Sequence, residues 1–261
     1  MIDAVYEHPN DIHLYAIGDT HIGDKGFTRE CGIRLQRVID EIEEDPDAFV
    51  FFGGDLVNCA TLGGKSSIFE QELDLMNQIE RVKSYFLPIR HKILGLIDGN
   101  HEMRISKVSG MSAAYTICQA LQIPYFKTTA IIDFKLGERT RGDKKGARTQ
   151  YTGVFQHTTG GGSTTGSKVN RTELMRTTTI VNADFYVAFH KHLKNVAELS
   201  SREYDPHNKK QVKRSQWLID AGSFLEWDNT YPEGMQLKPM ALGCAEIRLK
   251  GEEKKIDAHL V

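Results

Sequence analysis

Short apolar runs in this chain repeatedly end on residues that can bind a metal ion. Asp19-Thr20-His21 follows one such run, Asp55 a second and Asn100-His101 a third, while His157 and His190-Lys191-His192 follow two more. Carboxylate and amide oxygens mixed with imidazole nitrogens suit Mn²⁺, Fe or Zn²⁺ rather than a soft-metal thiolate site. Cys31, Cys59, Cys118 and Cys244 stand far apart with no CxxC pair, so they are expected as free thiols of a reducing compartment. One histidine after a strand says little. Five strand ends delivering Asp, Asn and His together predict a metal centre.

A second stretch has the composition of a phosphate-binding loop. Gly161-Gly162-Ser163-Thr164-Thr165-Gly166-Ser167-Lys168 nearly spells a P-loop, but that motif needs its lysine directly after the glycine and a hydroxyl next. Here Ser167 precedes Lys168 and Val169 follows, so an NTPase is set aside. Two readings stay open. One is a backbone-amide cradle beside His157, with Gly160, Gly161 and Gly162 allowing close approach of the chain and Lys168 adding charge; the other is a plain connection.

The elements that must position these residues alternate in the first half of the chain. Residues 13–17, 48–52 and 93–97 read as strands. Leu35, Val38, Ile39 and Ile42 make one apolar stripe on a helix over 28–44, and Leu75, Ile79, Val82 and Phe86 another on a second helix. The second half is richer in strands, expected at 130–135, 151–156, 185–189, 196–202, 211–220 and 245–249. Helical stretches fall at 112–121 and 171–181, and 137–147 and 158–167 read as loops. No repeat or linker divides the chain, so one α/β domain over 1–261 is expected.

Taken in order, Gly18-Asp19-Thr20-His21, Gly54-Asp55, Gly99-Asn100-His101-Glu102, His157 and His190-Lys191-His192 resemble the signature of the calcineurin-like metallophosphoesterases: D-x-H, G-D, G-N-H-[DE], H and G-H-x-H. The resemblance implies a four-layer α-β-β-α sandwich, two mixed β-sheets flanked by helices. It also implies two divalent ions, manganese first, with iron, zinc, magnesium or nickel as alternatives. Carried over, Asp19, His21 and His192 would hold one ion, Asn100, His157 and His190 the other, and Asp55 would bridge them through its two carboxylate oxygens. His101 would stand over the scissile phosphate as proton donor. The activity implied is phosphoester hydrolysis by a metal-bridging hydroxide.

Three departures bear on that likeness. Phe189 stands where a glycine usually precedes the H-x-H pair. Relatives acting on phosphoproteins read G-D-x-V-D-R-G where this chain has Asn58 and Cys59 in place of the acid and the arginine. A monoester dianion rewards a guanidinium fork more than a diester monoanion does, so losing that arginine favours phosphodiesters, with nucleic acid or nucleotide as the leading substrate class. Arg104 could compensate, which keeps a protein or small-molecule phosphomonoesterase as the alternative. A catalytically weak metal-binding scaffold is the rival from another class, and the presence of His101 argues against it.

Composition sets the remaining bounds. The chain has 261 residues, 40% hydrophobic and 26% charged, with a formal net charge of −2, so no global field draws it to nucleic acid or an acidic membrane. A polymer would have to meet a local patch, such as the basic residues between Lys135 and Arg148 or the run Lys209-Lys210-Gln211-Val212-Lys213-Arg214. No apolar run is long enough to span a bilayer, and the N-terminus has acids where a signal peptide needs bases. A cytoplasmic protein with no membrane partner is expected; oligomeric state has no signature in the sequence.

Overall fold

Two mixed sheets of six strands each lie face to face in the computed structural model, which describes residues 2–61, 68–138, 148–160, 162, 164–228, 233 and 238–261. The elements run β1 (Ala4–His8), β2 (Ile12–Ile17), α1 (Arg29–Glu44), β3 (Ala48–Phe52), α2 (Leu75–Phe86), β4 (Ile93–Ile97), α3 (Asn100–Ser109), α4 (Ala113–Leu121) and β5 (Tyr125–Phe126). They continue with β6 (Thr129–Leu136), β7 (Thr149–His157), α5 (Thr165–Thr178), β8 (Phe185–Phe189), β9 (Lys194–Asp205), β10 (Lys210–Ala221), β11 (Ala245–Leu249) and β12 (Ile256–Leu260). One sheet has the order β12-β11-β2-β3-β4-β5, the other β1-β6-β7-β8-β10-β9.

Alternation along the strands sorts the apolar side chains into layers. Leu14, Ala16 and Phe51 point inward to meet Phe134, Phe155 and Val187 of the facing sheet. Their neighbours Tyr15, Ile17, Val50 and Phe52 point outward, under the apolar stripes of α1, α2 and α4. On the opposite outer face, α5 packs Met175 against Val154, Tyr186 and Leu218. The expected α-β-β-α order is therefore the one observed. Helix starts are fixed locally: Thr28, Asp74, Ser112 and Thr164 each accept a backbone N–H of the first turn.

Some elements differ from expectation. β1 and β12 are edge strands of alternating or polar pattern, and β5 has only two residues. The helix expected over 171–181 begins six residues earlier, at Thr165, so the expected loop after His157 is shorter. α3 was not anticipated at all. Most of the 137–147 loop and of its basic residues lies outside the described residues; Lys135 and Arg148, at its flanks, both pair with Glu7.

Parallel pairing does the positioning. β2, β3 and β4 are parallel neighbours, as are β7 and β8, so their carboxyl ends open on common edges. Every candidate ligand lies just beyond or at one of those ends. Among the described residues no helix is long and apolar enough to cross a membrane.

Candidate metal centre

The loops after β2 and β3 are zipped together before any side chain is considered. Asp19 N–H donates to Gly54 O at 3.0 Å, His21 N–H to Asp55 O at 3.0 Å and Ile22 N–H to Leu56 O at 2.9 Å. The bends that follow force a rare backbone state: Asp19, His21, Asp55, His190 and His192 all have positive φ, between 47° and 83°. L-residues are seldom held there, and such residues gather at functional sites.

Each carboxylate is anchored by one oxygen and aimed with the other. Asp19 Oδ2 accepts the His190 N–H at 2.8 Å, and its Oδ1 is buried with no hydrogen-bond partner. Asp55 Oδ1 accepts the His101 N–H at 2.7 Å, leaving Oδ2 to lie 3.3 Å from His157 Nε2 and 3.9 Å from His21 Nε2. Asp55 Oδ2 faces both groups of ligands, while Oδ1 is committed to the start of α3. That start also requires a glycine, since a Cβ at Gly99 would sit 2.1 Å from Asp55 Oδ1.

The histidines are oriented from behind in the same way. His157 Nδ1 donates to Gly53 O at 2.7 Å, which turns Nε2 toward the cluster. His101 Nδ1 donates to the backbone carbonyl of Asn58 and turns Nε2 inward, 3.9 Å from Asp55 Oδ2. So Asn58 serves through its main chain; both side-chain polar atoms of Asn58 are buried without a partner.

Three overlapping groups of possible ligands emerge among the described residues, one of which, His21, Asp55 and His101, takes in the expected proton donor. His21 Nε2 and His192 Nε2 approach to 3.2 Å, with Asp19 Oδ1 at 3.5 Å from His192 and 4.0 Å from His21. Asp19, Asp55, His157 and His190 form the second, and the amide of Asn100 joins it: one amide atom lies 3.1 Å from His157 Nε2, 3.1 Å from Asp55 Oδ2 and 2.6 Å from His190 Nδ1. Ligands at bond lengths of about 2.0–2.2 Å around one ion stand about 3–3.5 Å apart, so these separations fit. The orphaned Asp19 oxygen makes the stronger test. A buried carboxylate oxygen without a donor is costly, and a divalent cation would satisfy it together with the imidazole lone pairs around it.

Electrostatics agree with that donor set. Burial pushes His21 well below the usual imidazole range, and burial with His157 nearby takes His190 down to about 4, so both present neutral lone pairs. Burial also opposes charge on His157, but Asp55 and Asp19 outweigh it and carry it up to about 10. Burial disfavours the Asp55 carboxylate, yet His157 and His101 more than reverse this and hold it well below the usual range. Without a cation, therefore, the acids of the cluster are balanced by a proton on an imidazole that a metal would displace.

All seven ligand residues proposed from the sequence, and His101, are brought together. Arg104 is brought there too, one helical turn on from His101: Nη2 lies 3.1 Å from the Asn100 amide and Nη1 3.4 Å from His101 Nδ1. Lys168 is placed elsewhere, buried, with Nζ donating to Lys191 O at 2.8 Å. Gly162 has φ 66° and packs against Ser167 in the first turn of α5, and Gly161 lies outside the described residues. Phe189 displaces no ligand, because its ring fills the space left by two glycines; a Cβ on Gly53 would come within 2.0 Å of it.

Sequence reasoning missed the brace under this half of the site. Glu102, buried in the first turn of α3, accepts N–H bonds from Asp55 at 2.8 Å, Leu56 at 2.8 Å and Gly99 at 3.0 Å. Burial, reinforced by Asp55, pushes its carboxyl up, and these donors only partly offset the push. Its signal was available: an acid three residues after a glycine, where a helix could begin.

No protein-family model and no curated protein matches the chain. Solved structures do. A metallophosphoesterase from Sphaerobacter thermophilus matches with a TM-score of 0.40 and 12% identity, over 96% of this chain and 88% of that one. A predicted phosphoesterase from Streptococcus pneumoniae matches at 0.35 and 11%, over 96% and 98%. The NAD nucleotidase of Haemophilus influenzae matches at 0.40 and 11%, over 96% of this chain, which spans about half of that protein's length, 49%. These are likenesses to phosphoesterases and a nucleotidase, and the chemistry of the site rests on its own residues.

Proposed function

We propose that this protein is a metal-dependent phosphoester hydrolase that acts on phosphodiesters, with nucleic acid or nucleotide as the leading substrate class. One observation carries it: seven side chains with oxygen and nitrogen donors converge, and one of them, Asp19, presents a buried carboxylate oxygen with no hydrogen-bond partner. Asp19, His21 and His192 would hold one divalent ion and Asn100, His157 and His190 the other, with Asp55 Oδ2 shared. Such a pair of ions supplies Lewis acidity at the phosphate and an activated water.

The chain's own groups do the rest. His101 Nε2 faces the cluster while Asn58 O holds the proton on Nδ1, so His101 would donate to the departing oxygen as the imidazolium, whose second proton sits on Nε2. Burial lowers the His101 pKa, which makes that imidazolium scarcer and a stronger acid. Arg104 lies beside it, where a guanidinium can meet a non-bridging phosphate oxygen. Cys59 is buried, and burial pushes its thiol up, so that position supplies neither a cation nor a nucleophile. Cys59 in place of a second cation favours a diester, and Arg104 in this position supports a phosphomonoesterase as the second reading.

Lys209, Lys210 and Lys213 are exposed toward the tip of the β9–β10 hairpin, about 25–40 Å along the strands from the cluster and at the opposite end of the sheet, so they are no part of this site. Purified protein loaded with Mn²⁺ should cleave a chromogenic diester faster than the matching monoester, and oligonucleotides should compete for the site. Protein that binds no divalent metal while folded, or one that cleaves the monoester alone, would overturn the proposal.

A further inference from the structure

Between the ligands His190 and His192 stands a residue that faces the other way. The left-handed φ of both histidines, 83° and 51°, sends the Lys191 side chain back under the loop, where it is buried. Its ammonium has three donors, and all three are matched: Asp220 Oδ1 at the end of β10, Thr172 Oγ1 on α5, and Lys168 O at 2.9 Å one helical turn earlier. The grip is returned, since Lys168 Nζ donates to Lys191 O at 2.8 Å. Asp220 is held in turn by Thr172 Oγ1 at 2.5 Å and by Asn195 Nδ2 at 3.2 Å.

We infer that Lys191, clamped by Asp220, Thr172 and Lys168, is a positioning residue that sets His190 and His192 for the two ions; the inference rests on the metal-binding reading above. Three features carry it. The clamp seizes both the side chain and the carbonyl of the one residue lying between two ligands, so rotation of either flanking peptide is opposed. The ligands it flanks belong to different groups, His192 with Asp19 and His21, and His190 with Asp19, Asp55 and His157, so one clamp sets both. And a buried ion pair is a poor way to gain stability, because desolvating two charges offsets their attraction and apolar replacements of similar size are often as stable. Its value here is directional. An ammonium with three fixed acceptors has one position, where a leucine or methionine would have several.

The clamp also gives Lys168 a role that its sequence context concealed. It is in the first turn of α5, but its charge is spent on the back of the H-x-H loop. α5 therefore acts on the candidate ligands through Lys168 and Lys191.

The test uses the full chain and Mn²⁺ alone, with uptake measured by calorimetry or by loss of the free-ion spin-resonance signal, and folding followed by circular dichroism. Lys191→Met should stay folded under mild conditions and weaken Mn²⁺ binding by about 10–100-fold, the range for removing a group that orients a ligand. Thr172→Val keeps charge and volume and should shift affinity in the same direction by less. The double variant Lys191→Met with Asp220→Leu is decisive, since it removes the unpaired buried acid. A positioning role predicts that its melting temperature recovers while its Mn²⁺ affinity does not. Wild-type uptake of Mn²⁺ with equal uptake by the folded double variant would overturn this inference and leave the metal reading standing. A folded wild type that takes up no Mn²⁺ would overturn both.

Discussion

On the sheet that carries β2, β3 and β4, the loops presenting Asp19, His21 and Asp55 are tied to one another by main-chain hydrogen bonds, and the turn presenting Asn100 joins them through Asp55 Oδ1 and a buried carboxyl, Glu102. On the sheet that carries β7 and β8, the loop presenting His190 and His192 is seated on a buried ammonium, Lys191, with Asp220 behind it. One half of the site is braced by a buried carboxyl that collects N–H donors; the other is braced by a buried ammonium that collects oxygens. The difference follows from what each half leaves unsatisfied. Tight bends after β3 and β4, at the start of α3, expose peptide N–H groups, whereas the loop after β8 runs past the carbonyls of α5's first turn. The candidate site, assembled across two sheets, thus has two braces of different chemistry, and either can be removed while the other remains.

Asp55 sits where the halves meet, so Asp55→Asn should have the largest effect. Its shared oxygen loses its charge, and metal analysis should show fewer than two ions per chain with activity down by more than about 10⁴-fold, beyond the loss of a single proton donor. His101→Ala touches only the β2-β3-β4 half and should keep its metal. Its kcat should fall by about 10²–10⁴-fold, read under saturating Mn²⁺ alongside unchanged metal content.

Glu102→Ala removes the carboxyl brace. It leaves several buried N–H groups without an acceptor, and urea unfolding of the metal-free chain should report a loss of about 3–5 kcal/mol. Lys168→Ala trims the cationic brace without touching its ion pair. A modest rise in Mn²⁺ Kd, about 3–10-fold, is expected, with diester and oligonucleotide turnover affected alike. Selective damage to oligonucleotide turnover would instead make Lys168 a substrate contact. The smallest effect belongs to neither half. Replacing Lys209, Lys210 and Lys213 with alanine should leave small-diester hydrolysis unchanged and the salt dependence of oligonucleotide binding unaltered, where lysines within the site would lower its slope by up to about 2–3.

What could be read from the sequence follows the same division. The ligands were legible because each ends an apolar strand, and strand ends of parallel sheets converge. The stripes of α1 and α2 were legible because four apolar residues repeat at helical spacing on each. α3 was not, since its first turn is made of site residues and its buried positions are His101 and Glu102 rather than an apolar stripe. Gly166 and Ser167, weak helix formers, concealed the first turn of α5. Lys168 and Lys191 were the hardest. A lysine in a polar stretch reads as solvent-exposed, and nothing in its neighbours reveals an acid 29 residues further on, Asp220 for Lys191, that closes over it.

The five ligand residues with positive φ have one more consequence. Holding an L-residue in that region costs about 1 kcal/mol or more each, and the metal-free chain bears this with no coordination bond to offset it. Natural selection for a sturdier fold would favour glycine or asparagine at these bends, and each such change would delete a ligand. His190 and His192 are half-buried where the other three are buried, and replacing either gives up the least packing. The candidate centre is therefore a place where the fold can be improved only by disarming it, and the loop after β8 is where drift toward an inert, more durable relative of this protein would begin.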